Sequence, residues 1–139
     1  MSLPKWLDAQ KEFESWFQTK ASFCFEFHDA RVAKGTGGSN RIFTTSHPAD
    51  YVVVDYGTMF YAEVKSSQNE TSFPFDSIQK SQWSAAMRTV SAKGLYYFFI
   101  RSEVLKKWYR VPADVMLQLK AGEAKSVKWE YLKPLEYAR

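Results

Sequence analysis

The segments PADYVVV, residues 48–54, and FYAEVK, residues 60–65, decide the fold expected of this chain. Both are apolar runs of strand length, and the short link between them contains a glycine, so together they predict a β-hairpin. Charged residues border these runs: Asp50 opens the first, while Glu63 and Lys65 close the second. Residues i and i+2 of a strand point to the same face, so Glu63 and Lys65 are expected to project together.

Length and composition predict one soluble domain over residues 1–139. A chain of 139 residues can bury a core without disulfides or metal staples. Its 45% apolar and 17% aromatic content excludes a disordered protein. The single cysteine, Cys24, cannot form an internal disulfide, and no apolar run is long enough to cross a bilayer. We therefore expect a cytoplasmic protein.

The order of predicted elements indicates a mixed β-sheet flanked by helices, an α/β or α+β class. Apolar spacing predicts a first helix over residues 4–20, and alternating phenylalanines predict a strand over 23–28 with one buried face. Residues 29–47 are rich in Gly and Ser and predict a loop. The later elements are a helix over 77–92 capped by Asp76 and Gly94, a buried strand over 95–100, a strand over 108–111, and a short helix between Pro112 and Gly122.

The charge of the chain is modestly basic, with a net charge of +4 and a pI near 9.1. This value alone also fits ordinary solubility. Arg31, Lys34 and Arg41, however, lie in the loop that leads to Asp50. Basic residues on a loop beside an acidic site suit the phosphate backbone of DNA, so these three are candidate nucleic-acid contacts.

The charged ends of the hairpin could form a cation site. If Asp50 lies beside Glu63, their carboxylates offer the hard oxygen ligands that Mg²⁺ or Mn²⁺ prefer, and the backbone carbonyl of Val64 could add another. Lys65 would then hold or deprotonate an attacking water and face the charge that builds on a phosphate. The spacing alone also occurs by chance, and taken by itself it favours a hairpin whose charged ends are solvated.

Pro48-Ala49-Asp50 followed by Glu63-Val64-Lys65-Ser66-Ser67 resembles the PD-(D/E)xK nuclease signature. The segment NETSFPF, residues 69–75, and the later Gln82 are similar to the continuation found in RecU-type Holliday junction resolvases. The chain length and the basic glycine-rich loop also resemble the compact archaeal Hjc-type resolvases. The resemblance covers about residues 10–112. It implies a restriction-endonuclease-like fold and a Mg²⁺-dependent, structure-selective DNA endonuclease.

The resemblance assigns roles to individual residues. It implies that Asp50 and Glu63 bind the metal, that Lys65 acts at the nucleophile, and that Gln82 supports the site by holding water or phosphate. These families also use a glutamate on the first helix, for which Glu14 is the candidate and Glu12 the alternative.

Thr71 and Ser72 follow the signature and either contact phosphate or cap a turn. Ala49 departs from the pattern, because it separates the proline from the acid. The segment before Asp50 is also shorter than the projecting segment of RecU-type proteins, which leaves the mode of junction recognition open.

The function that the resemblance implies is resolution of four-way DNA junctions by paired hydrolysis, and two symmetric nicks call for a homodimer. Two alternatives remain open from the sequence. One is a restriction-like or repair endonuclease that acts on duplex, flap or nicked DNA with the same residues. The other is a DNA-binding module that keeps the fold and does not cleave.

Overall fold

The structure is a computed structural model that describes residues 5–28 and 47–139. The helices described are α1 (Lys5–Trp16), α2 (Lys80–Ser91), α3 (Ala113–Ala121) and α4 (Trp129–Leu132). The strands described are β1 (Ser22–Glu26), β2 (Tyr51–Asp55), β3 (Thr58–Ser67), β4 (Ser72–Pro74), β5 (Tyr96–Ser102), β6 (Lys107–Pro112), β7 (Ser126–Lys128) and β8 (Glu136–Tyr137). The predicted loop over residues 29–47 lies almost wholly outside the described residues.

A mixed β-sheet is the centre of this part of the chain, as the sequence predicts. The strand order is β1-β2-β3-β5-β6-β8. β3 and β5 run parallel, and the other neighbours run antiparallel. Parallel neighbours need a crossover connection, and α2 lies in the segment that joins β3 to β5. The predicted α+β class is therefore confirmed.

The hairpin of β2 and β3 forms as predicted. Tyr56 and Gly57 both have positive φ, 49° and 84°, which is the backbone conformation of the two-residue turns that match strand twist. Tyr51 pairs with Ala62 across the hairpin, and one step further this register places Asp50 opposite Glu63.

The sheet separates two apolar cores, and each contains buried tryptophan. On one face, Phe13 of α1 and Phe17, just after this helix, cluster with Tyr51 and Trp108. On the other face, Trp83 packs with the buried residues of the helical layer, including Phe98, Ile100, Met116 and Leu132. Among residues 5–28 and 47–139, Glu63 is the only charged residue that is buried.

The buried face of β1 is the opposite of the one that the phenylalanine alternation predicts. Phe23 and Phe25 are about half exposed, at 54% and 52%, whereas Cys24 is buried in the core beneath α1. The residues of β1 that share the Cys24 face are therefore the ones turned toward α1. The alternation shows that a strand has two distinct faces, but tertiary packing determines which face the helix covers.

The start and end of α2 also differ from the predicted caps. Gln79 is the N-cap and forms a reciprocal capping box with Gln82, while Asp76 lies in a preceding 3-10 turn, Phe75–Ser77. After the helix, Lys93 adopts the left-handed conformation, with φ of 67°, in place of the expected Gly94. By contrast, Pro112 and Gly122 flank α3 as predicted.

The polar segment after β3 is more ordered than its composition suggests. β3 continues through Ser67, and β4 pairs with β7 in a small separate sheet. Within residues 5–28 and 47–139, no helix combines the length and the apolar character needed to cross a membrane.

Candidate active site

Asp50 and Glu63 are linked to each other at the end of the β2–β3 hairpin. The backbone N–H of Asp50 donates to Glu63 Oε1 at 3.0 Å, and the backbone N–H of Val64 donates to Asp50 Oδ2 at 2.9 Å. The two carboxylates are thus held side by side by reciprocal hydrogen bonds between neighbouring chain segments. The structure brings together the two acids that the sequence singles out.

Lys65 points into the same site. Its Nζ lies 3.7 Å from Glu63 Oε2 and donates to the backbone carbonyl of Ser77 at 2.9 Å. The lysine side chain is only 18% exposed, so its amine is confined near the carboxylates. The 3-10 turn before α2 therefore orients Lys65, because this turn supplies the Ser77 carbonyl.

Gln82 contacts the same carboxylate oxygen of Glu63 that Lys65 approaches. Its Nε2 donates to Glu63 Oε2 at 2.5 Å, while its Oε1 accepts from the backbone N–H of Gln79 at 2.8 Å. The second bond fixes the amide orientation, since the oxygen must face the Gln79 N–H and the nitrogen must then face the carboxylate. The sequence interpretation has Gln82 holding water or phosphate, whereas in the structure its amide binds the glutamate.

The electrostatic environment of Glu63 opposes its negative charge. The side chain is only 1% exposed, and its pKa is raised to about 8, chiefly by burial and then by the neighbouring Asp50 carboxylate. Lys65 acts in the opposite direction but does not cancel these effects. A cation beside the pair would favour the ionised form of both acids.

The donor set fits Mg²⁺ better than a softer metal. Within the described residues, no group of three or more His, Cys, Asp or Glu side chains is arranged to hold a metal ion. Two carboxylates with the Val64 carbonyl would be an all-oxygen set, and Mg²⁺ commonly binds one or two carboxylates and keeps several waters. Asp50 and Glu63 are therefore the residues that would hold it.

Metal-free protein should lose stability as pH rises from about 5 to 8. The pKa of Glu63 is higher in the folded state than its ordinary value of 4.5, so its contribution is greatest below that value and is lost as pH rises through about 8. We expect the melting temperature in EDTA to fall by about 3–8 °C, the equivalent of about 1–2 kcal/mol. Adding Mg²⁺ should raise the melting temperature more at pH 8 than at pH 6.

Thermal melts across this pH range, with and without Mg²⁺, measure both effects. Asp50→Asn is the matched control, because it removes the second cause of the raised pKa and should flatten the decline. A melting temperature that is constant or rises from pH 5 to 8 in EDTA would contradict this electrostatic description.

The first-helix acid on the side of Asp50 is Glu14. The hydroxyl of Tyr51, the residue after Asp50, donates to Glu14 Oε1 at 2.8 Å. Glu12 instead accepts from Trp108 Nε1 at 2.6 Å and lies 3.4 Å from an Arg101 nitrogen. Glu12 is therefore engaged by residues of β5 and β6, and a role for Glu14 or Glu12 in the site stays a prediction.

Glu26 is a neighbouring acid that the sequence reasoning missed. Its pKa is raised by burial first, then by the charge of Glu14 and, more weakly, by Asp50, while His28 lowers it. Glu26 follows Cys24 by two residues and so shares its strand face. The phenylalanine alternation predicts that the other face of β1 is buried. Glu26 can be identified only once the packing of α1 shows which face is covered.

Two of the five candidate nucleic-acid contacts, Thr71 and Ser72, lie within the described residues. Asn69 Oδ1 accepts from the backbone N–H groups of Thr71 and Ser72, each at 3.0 Å, so this segment forms a side-chain-capped turn. Contact of these two residues with phosphate stays a prediction. Arg31, Lys34 and Arg41 lie outside the described residues, and their role as DNA contacts also stays a prediction.

Comparison with known proteins identifies the family. The family model described as RecU, Recombination protein U, matches residues 27–138. The chain belongs to the RecU family. The match includes Asp50, Glu63, Lys65 and Gln82, which carry the resemblance noted in the sequence. No curated protein sequence matches the chain at a significant level.

A solved structure shares the fold of this RecU family member. It is Hjc from Archaeoglobus fulgidus, a Holliday junction resolvase from an archaeal hyperthermophile. The TM-score is 0.58 at 13% sequence identity, and the match covers 94% of this chain and 93% of the Hjc chain. The restriction-endonuclease-like fold is thus confirmed.

Proposed function

We propose that this RecU family protein is a Mg²⁺-dependent endonuclease that resolves four-way DNA junctions by paired phosphodiester hydrolysis. The observation that carries the proposal is the hydrogen-bonded pair of Asp50 and Glu63 with the Lys65 amine 3.7 Å away. Family membership and a fold shared with a resolvase support the choice of substrate. DNA and a second copy of the chain are the proposed partners.

The chemistry follows from what these side chains can do. Bound Mg²⁺ would polarise the scissile phosphodiester and acidify a bound water. Lys65 faces this position and would hydrogen-bond the attacking water and the phosphate oxygens as their charge grows. The attacking water gives up one proton to solvent, its oxygen forms a bond to phosphorus as a P–O bond of the backbone breaks, and the leaving oxygen takes up a proton.

The 3-10 turn before α2 and the first turn of α2 keep these groups in place before the substrate arrives. The Ser77 carbonyl holds Lys65, and Gln82 holds Glu63. Hydrogen-bonded supports of this kind reduce the reorganisation that the reaction would otherwise require. Gln82, which is part of the similarity to RecU-type resolvases, thus acts as a support for the site.

A comparison of substrates tests the proposed function. The protein is incubated in Mg²⁺ with a synthetic four-way junction, and with linear duplex, flap and nicked duplex of the same sequence. We expect paired nicks on the junction and slower cleavage of the other substrates. Equal rates on linear duplex would favour the restriction-like or repair alternative. Binding without any product would favour a non-cleaving module.

Removing the Gln82 amide should impair both cleavage and stability. We expect Gln82→Ala to lower the cleavage rate or Mg²⁺ affinity by about 10–100-fold, as for other residues that orient metal ligands. Loss of the cap should also reduce stability by about 1 kcal/mol. Cleavage rates at several Mg²⁺ concentrations and thermal melts measure these effects.

Gln79→Ala is the matched control, since Gln79 supplies the other half of the capping box and bonds the backbone of α2. It should cost similar stability but leave cleavage much closer to that of the unmodified protein. If both variants lose cleavage equally, Gln82 acts only through the helix cap.

A further inference from the structure

A buried tyrosine on β5 holds the chain segment that leads into Asp50. The hydroxyl of Tyr96 donates to the backbone carbonyl of Pro48 at 2.6 Å, and the tyrosine is only 2% exposed. β3 lies between β5 and β2 in the sheet, so this bond joins two parts of the chain that are not neighbours there. The proline that precedes the acid is thereby tied to a strand on the far side of the hairpin.

The backbone that follows this proline is fixed as well. Ala49, the residue that separates the proline from the acid, is buried in the core of the helical layer. The N–H of Asp50 donates to Glu63 Oε1 at 3.0 Å, and its carbonyl accepts from the N–H of Phe27 at 2.9 Å. Contacts therefore hold every residue from the proline to the acid, and the bond to Tyr96 is the first of them along the chain.

The Tyr96 hydroxyl is suited to act as a permanent donor. Burial raises its pKa, and the negative charges of Glu63 and then Asp50 raise it further, so the phenol stays neutral. The effect of both carboxylates also shows that the hydroxyl lies near the acid pair. A buried carbonyl that loses its donor must find another partner, so removing the hydroxyl should let the Pro48 segment shift.

We propose that Tyr96 is a positioning residue whose hydroxyl fixes the backbone from Pro48 to Asp50 and so sets where the Asp50 carboxylate lies for binding of the divalent cation. The extra residue, Ala49, makes this anchor necessary, because it lengthens the segment and adds rotatable backbone torsions to it. The inference rests on the proposed function and deepens it, because it gives β5 a part in a site otherwise built from the hairpin and α2.

Tyr96→Phe removes the hydroxyl and keeps the buried ring. We expect Mn²⁺ binding to the DNA-free protein, followed by electron paramagnetic resonance, to weaken by about 10-fold, within the range of about 10–100-fold known for groups that orient metal ligands. The Mg²⁺ concentration for half-maximal junction cleavage should rise by a similar factor. Cleavage at saturating Mg²⁺ should change much less.

Tyr109→Phe is the matched control, because Tyr109 is also a buried tyrosine and pairs with Glu136 at the edge of the sheet. It should leave Mn²⁺ binding and the Mg²⁺ dependence unchanged. In an Asp50→Asn background, Tyr96→Phe should add little further loss of Mn²⁺ binding, since the ligand that it positions is already gone. Ala49→Gly keeps Tyr96 but loosens the segment, so it should weaken Mn²⁺ binding too and replaces Tyr96→Phe if that variant does not fold.

Unchanged Mn²⁺ binding in Tyr96→Phe would overturn the inference, as would an equal loss in Tyr109→Phe or a full further loss in the Asp50→Asn background. An unmodified protein that binds no Mn²⁺ would overturn it as well. If the unmodified protein binds Mn²⁺ but cleaves no DNA, the proposed function fails, and the Mn²⁺ measurements still decide the role of Tyr96.

Discussion

Lys65→Met should reduce junction cleavage by about 10²–10⁴-fold, the range typical of a side chain that assists proton transfer at the reacting group. Methionine keeps the length of the aliphatic chain and removes the amine that lies 3.7 Å from Glu63 and donates to Ser77. Because Lys65 lowers the pKa of Glu63, its loss should also favour the protonated glutamate and weaken Mg²⁺ binding. The loss of the amine and the weaker binding of Mg²⁺ should both lower the cleavage rate.

Single-turnover cleavage of a labelled junction measures the loss, and binding of the junction in Ca²⁺ shows whether the fold and the DNA affinity persist. Lys65→Arg separates charge from geometry, since the planar guanidinium cannot replace the compact amine. We expect it to remain strongly impaired. Lys107→Met is the matched control, because Lys107 pairs with Glu136 on β8 at the opposite edge of the sheet. Cleavage that survives Lys65→Met would contradict the assigned role.

Asp50→Asn should abolish measurable cleavage and yet stabilise the metal-free protein. The amide oxygen of asparagine can still accept from the Val64 N–H, so the local structure should persist. The lost charge removes a metal ligand, and about 4 kcal/mol of lost transition-state stabilisation corresponds to about 10³-fold in rate. The same change removes the carboxylate that opposes ionisation of Glu63, so the melting temperature at pH 8 should rise.

These opposite effects distinguish a functional acid from a structural one. Replacing a residue that serves only the fold should lower both the stability and the activity of the protein. An acid held beside a buried acid instead lowers the stability of the protein, so its replacement should raise stability and lower activity. Cleavage rates measure the activity, and thermal melts in EDTA at pH 8 measure the stability. Asp76→Asn, at an exposed acid in the 3-10 turn, should leave both unchanged. A destabilised Asp50→Asn would count against a functional origin of the pair.

The parts of the fold that follow from local sequence were predictable. The glycine-containing turn and its apolar flanks specify the hairpin, and hairpin register alone places Asp50 opposite Glu63. Pro112 and Gly122 likewise flank a helix where their backbone preferences predict it. These signals are local because they depend on backbone conformation and on the alternation of side chains along one strand.

The parts that depend on contacts between distant segments were not predictable. The exposed position of Phe25 and the acidic neighbourhood of Glu26 depend on where α1 packs. The partner of Lys65 is a backbone carbonyl, at Ser77, which no side-chain pattern encodes. The pairing of β4 with β7 joins segments more than fifty residues apart. The polar composition of the segment around β4 alone predicts only a turn.

The central claim is that the Asp50–Glu63–Lys65 site cleaves both strands of a four-way junction. The most direct test labels each of the four strands of a synthetic junction in turn and maps the products formed in Mg²⁺, with Asp50→Asn and Lys65→Met beside the unmodified protein. We predict nicks at symmetric positions on one pair of opposing strands, and none with either variant. Cleavage by these variants, or unmodified protein that binds the junction and leaves all four strands intact, would contradict the claim.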